Sequence, residues 1–185
     1  LTQYYGENLI GQHLLLENQI QKKIIEYMQY LSRTTHEQDI VIQKLEYFMK
    51  VEKNGFVFQG YADRIEQRNG KTFIIDYKTG GNEKTTKINF KKLVYEERET
   101  WKKYIGSFQL PLYMMLYSEL VQESITSIQP VFIYLGKNSL QKCEIGVFDE
   151  IDIQQGYTIM EKIIFDIVQE IISSKPFLPT DTLEK

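Results

Sequence analysis

Residues 60–80, GYADRIEQRNGKTFIIDYKTG, set two carboxylates, Asp63 and Asp76, and one ammonium, Lys78, inside apolar strand-like sequence. Asn69-Gly70, between two alternating runs, is a strong signal for a two-residue hairpin turn. In a hairpin symmetric about that turn, Asp63 falls opposite Asp76. Directly opposed residues have Cβ atoms about 4.5–5.5 Å apart, and like charges there repel. Lys78 lies two residues beyond Asp76 and leaves the same face, while Phe73, Ile75 and Tyr77 point to the other face and pack a core. Two opposed carboxylates need something positive between them. Lys78 is one candidate, and a divalent cation with oxygen ligands, Mg²⁺ or Mn²⁺, is the other. A plain Asp–Lys–Asp ion cluster at a sheet edge accounts for the same residues. A β-bulge near Gly60-Tyr61 would instead leave the two aspartates on opposite faces.

The elements that must position these groups follow from periodicity. Residues 7–32 carry Leu9, Leu16, Ile20, Ile24, Met28 and Leu31 at helical spacing. Residues 33–39 read as a loop, and residues 40–52, 55–67 and 71–79 as three strands. Residues 80–100 are polar and charged, with no clear assignment. Residues 101–122 read as a helix with Pro111 near the start of its regular part, capped by Ser107. Residues 129–135 and 141–148 form a second hairpin around Gly136–Asn138. Residues 151–173 close the chain as an amphipathic helix, with Ile159, Ile163, Ile167 and Ile171 at every fourth position. This order predicts an α/β fold: a central mixed sheet of about five strands flanked by helices on both faces.

The 185 residues suit one domain, 1–185, with a real core. The abrupt start at LTQYYGENLI, without Met, suggests a fragment of a longer protein. With 22 Lys+Arg against 25 Asp+Glu the net charge is −3, which argues against a whole-surface polyanion binder but leaves room for a local basic groove. The single cysteine, Cys143, excludes a disulfide framework and a cysteine-rich metal cluster, and it fits a reducing, cytoplasmic setting. No run of about 18 apolar residues is present, so no membrane partner is expected.

Three motifs in order, Gly60-x-x-Asp63, Asp76-x-Lys78 and Gln109-x-x-x-Tyr113, resemble the PD-(D/E)XK nuclease superfamily. GYADRI and IIDYKTG resemble more closely its RecB-like, AddB-type branch, found in the nuclease domains of helicase–nuclease repair complexes. The resemblance implies a restriction-endonuclease-like core and a metal-dependent DNA nuclease, an exonuclease acting in repair and recombination. It implies that Asp63, Asp76 and the Tyr77 carbonyl hold Mg²⁺ or Mn²⁺, and that Lys78 polarises the attacking water or the scissile phosphate. Gln109 and Tyr113 would organise the site and touch the DNA strand. Their spacing places them on one helix face, where Tyr113 could equally belong to an aromatic core with Tyr117. His13 is the histidine placed to add a metal ligand from the first helix, with Glu17 as its fallback; a polar surface role is the alternative. Glu46 is a further carboxylate, structural or ion-paired otherwise. Many relatives bind an iron–sulphur cluster through C-terminal cysteines, and none follow KPFLPTDTLEK, so no such cluster is expected in this chain. The implied partners are DNA, as single strands or duplex ends, and a helicase portion or subunit.

Residues 82–104 hold seven basic residues against four acidic ones, with Tyr95 and Trp101 interleaved. Lys84, Lys87 and Lys91 suit phosphates and Trp101 suits base stacking, giving sequence-tolerant nucleic-acid binding; Thr79 follows the catalytic strand and joins them. A solvated loop and helix face is the plain alternative. A catalytically silent nuclease-like DNA-binding or scaffolding domain is the competing function. The intact Asp63, Asp76 and Lys78 argue against it.

Overall fold

The Asn69-Gly70 turn sets the register of the central hairpin. Both residues take positive φ, 48° and 80°, as a type I′ turn requires if its twist is to match the flanking strands. The computed structural model describes residues 11–80, 82–137 and 140–173. In it β1 (Ile40–Lys53), β2 (Phe56–Arg68) and β3 (Lys71–Lys78) form an antiparallel meander. β2 and β3 pair from Arg68↔Lys71 to Arg64↔Ile75, the register that hairpin symmetry demands. β4 (Ile128–Tyr134) runs parallel to β3, and β5 (Glu144–Gly146) antiparallel to β4. The strand order is β1-β2-β3-β4-β5, a five-stranded mixed sheet with the expected restriction-endonuclease-like α/β architecture.

A parallel neighbour needs a crossover connection. Between β3 and β4 the chain forms α2 (Arg98–Tyr104) and α3 (Gln109–Val121), where one helix over 101–122 was expected. Ile105 leaves the helix to bridge Ile88. Gly106 donates its N–H to Lys87 O at 2.9 Å, and a Cβ there would lie 2.8 Å from that oxygen. The close approach breaks the helix and requires glycine. Pro111 then falls in the first turn of α3, where a missing N–H costs nothing. Ser107 Oγ accepts the Gln109 N–H at 3.1 Å, although Phe108 occupies the cap position.

α1 (Gln12–Glu37) continues through most of the expected 33–39 loop, and α4 (Ile153–Ile172) closes the fold. Residues 7–10 of the expected first helix and Asn138 of the expected turn lie outside the described residues. The last strand is shorter than expected because a 3₁₀ turn, Leu140–Lys142, takes up its start. α1 covers one face of the sheet, where Tyr27 and Tyr30 pack on Ile75, Val131, Ile133 and Cys143. On the other face α3 and α4 enclose the larger core with Ile65, Ile74 and Phe132. No helix among the described residues is long and apolar enough to cross a membrane.

Candidate active site

The two faces of β3 do different jobs. Ile74, Asp76 and Lys78 face α3, and Phe73, Ile75 and Tyr77 face α1. Hydrogen-bonded pairs alternate along an antiparallel ladder, so beyond Arg64↔Ile75 the Tyr77 N–H should go to Ala62. It goes instead to Asp63 Oδ2, at 2.8 Å. β2 therefore parts from β3 one pair earlier than full symmetry implied, and a carboxylate replaces the backbone acceptor. The β1–β2 register runs unbroken from Leu45↔Arg64 to Tyr47↔Ala62, its one shift lying earlier, between Ile42 and Lys44; opposite Asp63, Glu46 adopts a φ of 46°. Asp63 thus lies beside the end of β3, and its charge raises the Asp76 carboxyl.

Asp76 is 2% exposed. Its Oδ1 accepts from Gln109 Nε2 at 2.5 Å, and its Oδ2 lies 2.6 Å from Lys78 Nζ. Lys78 also donates to Gln109 Oε1 at 2.7 Å, so the Gln109 amide bridges acid and amine. Gln109 Nε2 reaches the Tyr113 hydroxyl at 3.1 Å, one helical turn on. Gly60 makes room for that ring: a Cβ there would stand 2.6 Å from Tyr113 Cε1. The glycine of GYADRI and the tyrosine of QLPLY are thus two halves of one contact. Tyr113 also packs against the larger core, the aromatic-core setting that its spacing equally allowed.

Burial pushes the Asp76 carboxyl above its usual range; Lys78 pulls it down, and the Asp63 charge pushes it up again. Asp76 Oδ2 is enclosed, and although Lys78 stands beside it no hydrogen bond is directed at it. A hard divalent cation fits this donor set. Mg²⁺ and Mn²⁺ favour oxygen ligands, and Mg²⁺ is typically held by one or two carboxylates plus water and substrate phosphate. Among the described residues no group of three or more His, Cys, Asp and Glu gathers around a point that could hold a metal. His13 is exposed near the start of α1, Glu17 is half-buried one turn on, and Glu46 is exposed on β1.

The expected DNA contacts divide. Thr79, Lys84 and Lys91 are exposed, and Lys87 pairs with Glu150 at 2.7 Å. Trp101 corrects the expectation of a stacking platform: it is 6% exposed. Its ring stacks on Tyr95 with centroids 6.1 Å apart, its Nε1 donates to Tyr95 O, and the Arg98 guanidinium covers it.

Sequence reading missed the reverse face. Arg64, Glu66 and Arg68 are each 5% exposed or less. Glu66 takes both arginines as ion pairs, and Arg68 binds Glu144 through two nitrogens at 2.8 and 2.6 Å. Tyr30 donates to Glu144, and the hydroxyls of Tyr27 and Tyr77 meet at 2.7 Å with Arg64 Nη1 at 3.3 Å from each. The available signal was strand period: in DRIEQR the charged residues 64, 66 and 68 fall on the face opposite Asp63, Ile65 and Gln67.

A five-stranded mixed sheet with acid, acid and lysine at the end of its central hairpin defines a class. The PD-(D/E)XK nuclease superfamily model matches residues 6–180. The chain belongs to that superfamily. No curated protein matches it.

Proposed function

We propose that this chain is an active metal-dependent DNA nuclease, an exonuclease module of a RecB-like helicase–nuclease repair system working in the cytoplasm. The supporting observation is the convergence of Asp63, Asp76, Lys78 and Gln109, with the enclosed Asp76 Oδ2 lacking a directed hydrogen bond. Asp63, Asp76 and the Tyr77 carbonyl would hold Mg²⁺ or Mn²⁺, with His13 as a further ligand. The cation would supply an acidified water and a counter-charge for the pentacovalent transition state.

The chain's own groups do the rest. Lys78 brings a fixed positive charge to where negative charge develops on the phosphate. Gln109 sets the Lys78 ammonium and the Asp76 carboxylate relative to one another, and Tyr113 holds Gln109. Thr79, Lys84, Lys87 and Lys91 would meet strand phosphates, giving salt-sensitive binding without base readout.

Purified protein incubated with linear single- and double-stranded DNA and either Mn²⁺ or Mg²⁺ tests the reading. Cleavage that disappears in Asp76→Ala and Lys78→Ala supports it. Retained DNA affinity with no cleavage in either metal overturns it in favour of a silent DNA-binding domain.

A further inference from the structure

Resting on the nuclease reading above, we propose that Tyr27 of α1 is a positioning residue. Its phenol, together with Arg64, clamps the Tyr77 side chain behind the sheet and so sets the separation of Asp63 and Asp76.

Strand alternation makes the connection. Arg64 directly follows Asp63, and Tyr77 sits between Asp76 and Lys78, so both strand members of the clamp are chain neighbours of a candidate metal-site group on the opposite face. β3 is held on its other side by β4, where Tyr77 pairs with Ile133. The β2 side is different, because the β2–β3 ladder ends at Arg64↔Ile75. Beyond it, two links join the strand ends: Asp63 to the Tyr77 N–H in front, and Arg64 to the Tyr77 hydroxyl behind. Were Asp63 to give its carboxylate to a cation, the front link would weaken. The rear link then decides whether both acids stay within reach of one ion.

The clamp is built to hold. Tyr27 meets Tyr77 hydroxyl to hydroxyl at 2.7 Å, with the rings edge to face at 86° and centroids 5.7 Å apart. Arg64 is backed by Glu66, Glu66 by Arg68, and Arg68 by Glu144, which receives Tyr30. Tyr30 stacks on Tyr27 with centroids 5.9 Å apart, so the network returns to α1. Packing alone would need no hydroxyls in this wall. Apart from Arg64 Nε and Glu66 Oε2, which make no directed hydrogen bond, its polar side-chain atoms are paired, and a buried polar network so paired favours one arrangement.

The test compares Tyr27→Phe with Tyr30→Phe. Tyr30→Phe cuts the same α1–sheet network at Glu144, away from Tyr77. Mn²⁺ alone is titrated into each protein without DNA and followed by the electron paramagnetic resonance signal of free Mn²⁺. Thermal melting and steady-state cleavage of linear DNA accompany it. Tyr27→Phe is expected to bind Mn²⁺ about 10-fold more weakly, as loss of a supporting hydrogen bond behind a ligand typically does. It should lower kcat with KM for DNA unchanged, and added Mn²⁺ should recover part of the rate. Tyr30→Phe should lower the melting temperature by a similar amount and leave Mn²⁺ affinity at the wild-type value. If Tyr27→Phe does not fold, Tyr77→Phe removes the other hydroxyl of the same contact and is read the same way. Wild-type Mn²⁺ affinity and kcat in the clamp variant, or an equal loss in Tyr30→Phe, overturns the proposal alone. A wild-type protein that neither binds Mn²⁺ nor cleaves DNA overturns the nuclease reading, and the clamp's role with it.

Discussion

Asp63 Oδ2 accepts the Tyr77 N–H at 2.8 Å, in the place where a strand carbonyl would otherwise sit. One carboxylate thus both ends the β2–β3 pairing and presents an acid at the point where the strands separate. Asp63→Asn keeps an acceptor for Tyr77 and removes the charge, whereas Asp63→Ala removes both. Both variants should lose cleavage. In chemical denaturation Asp63→Ala should be less stable than Asp63→Asn by about 0.5–1.5 kcal/mol, the worth of a hydrogen bond to a neutral acceptor. Equal stability of the two would show that the contact does not hold β3.

Lys78 carries the fixed charge of the site. Lys78→Met keeps the stem over the Phe132 ring, which the ammonium now faces at 5.2 Å. It should reduce kcat by about 10²–10³-fold, the usual cost of one preorganised electrostatic group. DNA affinity in a gel-shift titration should change far less. A parallel loss of affinity and rate would make Lys78 a strand-binding residue.

Gly60 and Tyr113 form a paired fit. Gly60→Ala pushes a methyl into the Tyr113 ring and displaces the partner of Gln109. The variant should melt as a folded protein yet cleave DNA more slowly. Gly60→Ala combined with Tyr113→Leu should recover stability and not rate. If the single variant has wild-type kcat, Tyr113 does not hold Gln109 in place.

Much of this was legible in the sequence because turn chemistry and period-two alternation act locally. Asn69-Gly70 gave the hairpin register, and Asp76-x-Lys78 gave the shared face. The early parting of β2 from β3 was not legible, because it depends on Asp63 outcompeting Ala62 for one N–H. Trp101 was misread because its flanks, ETWKK, are polar; α2 is a short helix that turns one side inward, and that side carries the ring. Arg64, Glu66 and Arg68 acquire their setting only because α1 and β5 bring Tyr27, Tyr30 and Glu144 against them. Such partners lie far apart in sequence, and no local pattern announces them.

Trp101 therefore belongs to stability. Trp101→Ala should destabilise the fold by about 3–5 kcal/mol, the range for removing a large buried aromatic. Fluorescence of this only tryptophan in the chain should show little quenching on addition of single-stranded DNA. Strong quenching on binding would return Trp101 to the nucleic-acid surface.

The reverse-face network predicts a pH effect. Burial works to raise the Glu144 carboxyl, but Arg68 and Tyr30 more than offset it and hold Glu144 below its ordinary 4.5. A depressed carboxyl stabilises the fold above its unfolded value, and that stability is lost as pH falls through the folded value. Unfolding free energy should decline below about pH 4.5 from this group. Glu144→Gln should flatten that part of the acid limb in a series of denaturant titrations. An unchanged slope would mean that Arg68 and Glu144 do not hold each other in solution.

The break at Gly106 reaches further than chain direction. Because α3 starts afresh at Gln109, its first residue, rather than a mid-helix one, lies against Asp76. The aligned peptide dipoles of a helix leave roughly half a positive elementary charge at its beginning. That field is supplied by backbone alone and is present before any ion or strand arrives. Fusing the two crossover segments into one continuous rod would move that pole away from the acids even if every side chain named here were kept.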